Sequence, residues 1–170
     1  MTPTPLRFPV LAFGRDVGRN AFLGRERLDY FLDEEDFSTC TAWDLKHGAR
    51  QGMLLADSAG RCWRVVHVGD LGVTRGWWER ILRLLLQQSV HRISQEIVEE
   101  FALSLQDLRE RVCASIAADA DRWRGDDAIV DEAGEVRDDQ EILDELKAAV
   151  RKAESVPQMI NALYDENLPG

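Results

Sequence analysis

The chain lacks the apolar length a membrane segment needs. No aliphatic run exceeds three residues, Leu84–Leu86 being one, against about 20 predominantly apolar residues for a spanning helix. The opening MTPTPLRFPVLAF holds Arg7 and three prolines but no long apolar stretch with a small-residue cleavage site, so no secretory signal is expected. Cysteine is scarce and odd in number. Cys40, Cys62 and Cys113 are widely spaced and form no CxxC pair, which argues against a disulfide framework or a structural zinc site and for reduced, packed thiols in a cytoplasmic protein. The three histidines, His47, His67 and His91, fall in different elements and give no HExxH spacing. Any metal site would have to assemble from distant segments, and no metal or cofactor is expected. Gly14, Gly18 and Gly24 lack the Gly-Lys-Ser/Thr ending whose lysine and hydroxyl reach phosphate and metal, so they read as a plain turn.

Charge is plentiful, and it is uneven. The 170 residues carry a net charge of −10, of which residues 101–170 contribute −9, from 17 acidic and 8 basic groups. That balance opposes direct binding of nucleic acid or an anionic membrane surface. Twelve acids lie between Asp119 and Glu145 against three arginines. An EF-hand begun at Asp131 would place Ala133 at position 3 and Val136 at position 6, where an oxygen ligand and a glycine are needed, so calcium is disfavoured.

The clearest local structure is Gln51–Gly69. Met53–Ala56 is an apolar run, Asp57-Ser58-Ala59-Gly60 suits a type I turn closed by a left-handed glycine, and Cys62–Val68 carries strand-favouring types. Strict alternation would put Trp63, Val65 and His67 on one face and Cys62, Arg64, Val66 and Val68 on the other. That separation keeps Cys62 and His67 from forming a local thiolate–imidazole pair. Upstream, Val10–Phe13 reads as a short strand confined by prolines to a sheet edge. Leu28, Phe31 and Leu32 have the i, i+3, i+4 spacing of a short helix or irregular segment. Ser38–Thr41 offers caps for a brief helix, Ala42–His47, ended by Gly48, with Trp43 packing inward.

Thr74–Gln88 reads as a helix whose wide apolar stripe includes Trp77 and Trp78. In Val90–Phe101 the positions Ile93, Ile97 and Phe101 fit either a helix or one face of a strand, and a strand is favoured because the next element has its own start signal. Ser104-Leu105-Gln106-Asp107 resembles a capping box and opens a long helix to about Arg124. Ala128–Val130 and Val136 suggest a second, smaller hairpin. Asp138-x-x-Glu141 starts a helix with Ile142, Leu146 and Val150, and Ser155-Val156-Pro157-Gln158 caps a last one with Met159, Ile160 and Leu163. The expected architecture is one α+β domain over 1–170: a small antiparallel sheet in roughly 1–100, packed against a helical layer over about 104–166.

No catalytic constellation stands out, which favours a binder over an enzyme. The stretch GMLLADSAGRCWRVVHVG, followed by a capped acidic helical half closing in SVPQMINALYDENLPG, resembles in architecture the immunity proteins that accompany bacterial polymorphic toxins. The resemblance implies a non-catalytic protein that neutralises a basic toxin by stoichiometric binding, and it transfers no functional residue. The acids Asp126, Asp127, Asp131, Glu132, Glu135, Asp138 and Asp139 are the expected docking face for a basic protein partner, where they would imitate phosphates if that toxin were a nuclease. Two rivals remain. One is a cytosolic enzyme in which Arg15, Arg19, Arg61 and Arg64 grip an anionic small molecule and His67 is the acid/base. The other is an adaptor or oligomeric scaffold using Trp77 and Trp78.

Overall fold

In the computed structural model, residues 6–15, 26–74, 89–100, 102–123 and 138–165 are described. Six strands, β1 Val10–Arg15, β2 Glu26–Phe31, β3 Thr39–Thr41, β4 Leu54–Ala56, β5 Cys62–Val73 and β6 Val90–Glu99, form one curled antiparallel sheet. Its order is β2-β1-β4-β5-β6-β3. Two short helices, α1 Glu34–Phe37 and α2 Ala42–His47, lie within the sheet-rich part, and α3 Leu105–Ala118, α4 Ala120–Trp123, α5 Asp139–Lys152 and α6 Val156–Asp165 follow it. The fold is the expected α+β arrangement. Among the described residues no helix is long and apolar enough to cross a membrane.

Both faces of the central strands are buried, and that decides several local patterns. On one face Leu11, Phe13, Leu28, Leu54 and Cys62 pack against Leu108, Val112 and Ile116 of α3, Leu146 and Val150 of α5, and Met159, Ile160 and Leu163 of α6. On the other, Val10, Ala12, Phe31, Leu55, Trp63 and Val65 meet Leu6, Phe37 and Met53. β1 therefore reads as an unbroken apolar run, because each alternate residue has its own core to enter. It lies inside the sheet, pairing β2 (Val10↔Phe31) and β4 (Phe13↔Leu54), which corrects the expected edge position. Pro9 directly precedes Val10, so its missing N–H falls outside the ladder.

The short helix or irregular segment expected at Leu28–Leu32 is also corrected, since Glu26–Phe31 is strand β2. In a strand, residues three apart point to opposite faces. Leu28 enters the helix-covered core and Phe31 the other one, so two-sided burial reproduces helical spacing in an extended segment. The helix that does form nearby, α1, starts later, where the Asp33 side chain accepts from the Asp36 N–H at 2.9 Å.

The hairpin of β4 and β5 forms in the register Leu54↔Arg64, Leu55↔Trp63, Ala56↔Cys62, with Gly60 at φ 78°. Further along, the β5–β6 register shifts between Val65 and His67, so that Val65 faces Ile97 but His67 faces Glu96. The extra residue at Val66 is a β-bulge and reverses the alternation beyond it. Val68 joins the face of Trp63 and Val65, whereas His67 moves to that of Cys62 and Arg64, correcting the expected faces. β6 confirms a strand over Val90–Glu99.

The caps follow the sequence. Ser104 and Asp107 form a reciprocal capping box at α3, Asp138 caps α5, and Thr41 and Gly48 (φ 68°) bound α2. Trp43 is 49% exposed, its ring centroid 4.0 Å from that of His47, rather than packed inward. A six-residue helix with no buried residue has no inner stripe to hold it. The long helix expected to reach Arg124 breaks at Asp119, yet Trp123 on α4 is still buried, so the apolar stripe outlasts the helix that began it. The expected helix Thr74–Gln88 with Trp77 and Trp78 lies, except for Thr74, outside the described residues, as does the second hairpin at 128–136. Of the turn expected from Gly14 onwards, Gly14 and Arg15 belong to strand β1 and the rest lies outside the described residues.

Candidate functional site

Three groups of polar residues are candidates for function. The first is the acidic segment. Asp126, Asp127, Asp131, Glu132 and Glu135 lie outside the described residues. Asp138 and Asp139 are exposed at the start of α5, where Asp138 Oδ1 accepts from the Gln140 N–H at 2.8 Å. A carboxylate there also complements the positive end of the helix dipole. Glu141, Asp144 and Glu145 continue the exposed face, opposite the buried Ile142, Leu143, Leu146 and Val150. Asp144 is held below the ordinary carboxylate range by bonds from Lys147 Nζ at 2.9 Å and Gln140 Nε2 at 3.0 Å.

The second group is the set expected for an enzyme acting on an anion, and the fold does not bring it together. Arg61 is bound to Asp57, its Nη2 3.0 Å from Oδ2, and lies over the Trp63 ring. Arg64 pairs with Glu100 and donates to the Gly52 carbonyl at 2.9 Å. Arg15 sits at the other end of β1 from the turn that carries Arg61, Arg19 is outside the described residues, and His67 is exposed.

A different arginine cluster does form, and sequence reasoning missed it. Arg15 at the end of β1, Arg27 and Asp29 on β2, Asp44 on α2, and Arg50 and Met53 after it line a cavity of about 110 Å³. Arg50 lies with its guanidinium carbon 4.1 Å from the Phe31 ring centroid and donates from Nη2 to the Thr39 carbonyl at 2.9 Å. Among the described residues its buried Nη1 has no acceptor. Burial pushes Arg50 below its ordinary pKa, while Asp29, Cys40 and Asp44 pull the other way. Arg27 Nε lies 2.9 Å from Asp29 Oδ2, but off the direction of a hydrogen bond. Asp29 also receives Arg122 Nη2 at 2.6 Å, and Asp44 receives the Thr41 hydroxyl at 2.9 Å. No sequence spacing links Arg15, Arg27 and Arg50; only the pairing of β1 with β2 and the return of the chain through α2 brings them together.

The third group is a chain of hydrogen bonds at the far end of β5 and β6. His91 Nδ1 is 3.0 Å from Asp70 Oδ1, and His91 Nε2 is 3.4 Å from the Ser89 hydroxyl. The order of groups matches a serine–histidine–aspartate relay, but the Asp70 side chain is 45% exposed and the serine contact is long. A relay aspartate works from burial, where water cannot screen it. The Asp70 carboxyl is held below its ordinary range by His91 and by the Gly72 N–H.

Among the described residues no three of His, Cys, Asp and Glu gather as metal ligands. The three cysteines are free and buried, and burial raises each thiol pKa, which suppresses the thiolate needed for nucleophilic or metal chemistry. No protein-family model, curated protein or solved structure matches this chain.

Proposed function

We propose that this chain is a non-catalytic, cytoplasmic protein-binding domain that docks a basic protein partner, in the manner of an immunity protein neutralising a toxin. The observation that carries the reading is the separation of charge: nearly all the net charge of −10 falls in residues 101–170. On α5 the acids Asp138, Asp139, Glu141, Asp144 and Glu145 occupy the exposed side, while the buried side anchors the helix to the sheet. The acids crowd the N-terminal half of α5, and the basic Lys147, Arg151 and Lys152 lie towards its C-terminus; an acidic patch of this kind speeds the encounter with an opposite surface and makes it salt-dependent. The acids Asp126, Asp127, Asp131, Glu132 and Glu135 assigned to the same docking lie outside the described residues.

The test is affinity capture of partners from native lysate across a salt gradient, with mass identification and re-measurement using the purified partner. The expected result is a basic protein held at low ionic strength, released as salt rises, and bound at least tenfold more weakly when Asp126, Asp127, Asp131 and Glu132 are replaced by Asn or Gln. A purified partner indifferent to those four substitutions, or no partner at low salt, contradicts the reading.

A further inference from the structure

We propose that the arginine-lined cavity at the ends of β1 and β2 is a binding site for a small oxyanion group, a phosphate or a carboxylate, with Arg50 as its principal cation and Arg15 and Arg27 as auxiliary ones. The inference does not rest on the proposed docking of a basic partner.

Arg50 is half-buried, and its Nη1 is wholly withdrawn from water. A guanidinium removed from water is normally repaid by a carboxylate and by acceptors for its donors. Among the described residues Arg50 receives one carbonyl and the face of Phe31, and its Nη1 has no acceptor. The nearby carboxylates favour the charged form of Arg50 but accept from other groups: Asp29 from Arg122, beside its ion pair with Arg27, and Asp44 from the Thr41 hydroxyl. Glu26, which faces Arg15 across the β1–β2 ladder, is taken by Arg111, whose Nη2 is 2.5 Å from Oε2 and whose Nε is 3.0 Å from Oε1. Among the described lining residues, three arginines stand against two aspartates, a cationic excess.

Size narrows the ligand. A pocket for a drug-sized molecule measures about 300–1,000 Å³, so a cavity of about 110 Å³ takes one charged group and leaves the rest of any larger molecule outside. Guanidinium groups match the oxygens of carboxylate and phosphate in fork geometry, which an ammonium cannot do. A bound anion would offset the burial cost of Arg50 and hence stabilise the fold by mass action.

The experiment is thermal unfolding and isothermal titration of the full chain with inorganic phosphate in one arm and acetate in another, against sodium chloride at matched ionic strength. The expected result is a saturable rise in melting temperature with at least one oxyanion that chloride does not reproduce. The favoured arm distinguishes tetrahedral from planar ligands. Affinity should fall at least tenfold in Arg50→Met and measurably in Arg27→Gln, and be unchanged in Arg92→Gln on the exposed side of β6. Arg27→Gln carries the same decision if Arg50→Met fails to fold. No saturable binding of either oxyanion, or undiminished binding in Arg27→Gln together with any folded Arg50 variant, overturns the proposal.

Discussion

Arg61 and Arg50 are two arginines beside the same sheet, and they are treated in opposite ways. Arg61 is tied to Asp57, a fully buried carboxylate that accepts the N–H groups of Ala59 at 2.9 Å and Arg61 at 3.0 Å, Arg61 Nε at 3.1 Å and the Trp63 indole at 3.3 Å. Every oxygen of that carboxylate has a donor, so the charge closes the turn and fixes the start of β5. Arg50 is half-buried with its Nη1 out of reach of water, and among the described residues it is paired with no carboxylate and that nitrogen has no acceptor. The difference separates a charge that holds structure from one the fold tolerates. Buried polar groups fully satisfied within a network rigidify it, whereas a partly satisfied group costs stability and needs another reason to be kept.

The comparison breaks most visibly at Asp57. Replacing it by Ala leaves the Trp63 indole and the turn N–H groups without their acceptor, and the expected loss is about 3 kcal/mol, read as a lower urea midpoint at unchanged slope. Asp57→Asn should cost less, since it keeps one acceptor oxygen. A neutral Asp57→Ala would show that the turn is held by its glycine alone.

Smaller effects follow at exposed networks. Ser104→Ala removes the capping-box oxygen that receives the Asp107 N–H at 3.1 Å, and about 1 kcal/mol of stability should go with it. Acid should weaken the fold through Asp70, Glu100 and Asp144. Their carboxyls are held below ordinary values by His91, Arg64 and Lys147 respectively. A depressed folded pKa contributes stability above the unfolded value, and that contribution is lost as pH falls through the folded one. Unfolding followed from neutral pH to below the ordinary carboxylate range should thus show a falling midpoint. Because all three groups are solvent-accessible, salt should shrink the effect.

What was legible in the sequence was local. The Asp57-Ser58-Ala59-Gly60 turn, the Ser104 box, and the bounds of α2 at Thr41 and Gly48 depend on residues within a few positions of one another, and each forms where turn and cap chemistry puts it. Readings that rested on spacing alone failed. Leu28 and Phe31 took helical spacing because β2 is buried on both sides, and Val68 changed face because Val66 bulges out of the ladder. The Arg50 cavity left no linear signal, since its arginines come from β1, β2 and the turn after α2. Even Asp57 was legible only as a turn former; that it also binds Arg61 and Trp63 follows from how the strand after the turn curls back over it.

The central claim is that Arg50 is retained for something other than stability. Urea unfolding of Arg50→Met beside the unsubstituted protein, in buffer free of phosphate and carboxylate, tests it most directly. Methionine keeps much of the side-chain volume against Phe31 and removes an under-compensated charge, so the expected stability is within about 1 kcal/mol of the parent or above it. A loss of about 3 kcal/mol, equal to that expected for Asp57→Ala, would contradict the account and make Arg50 another structural charge.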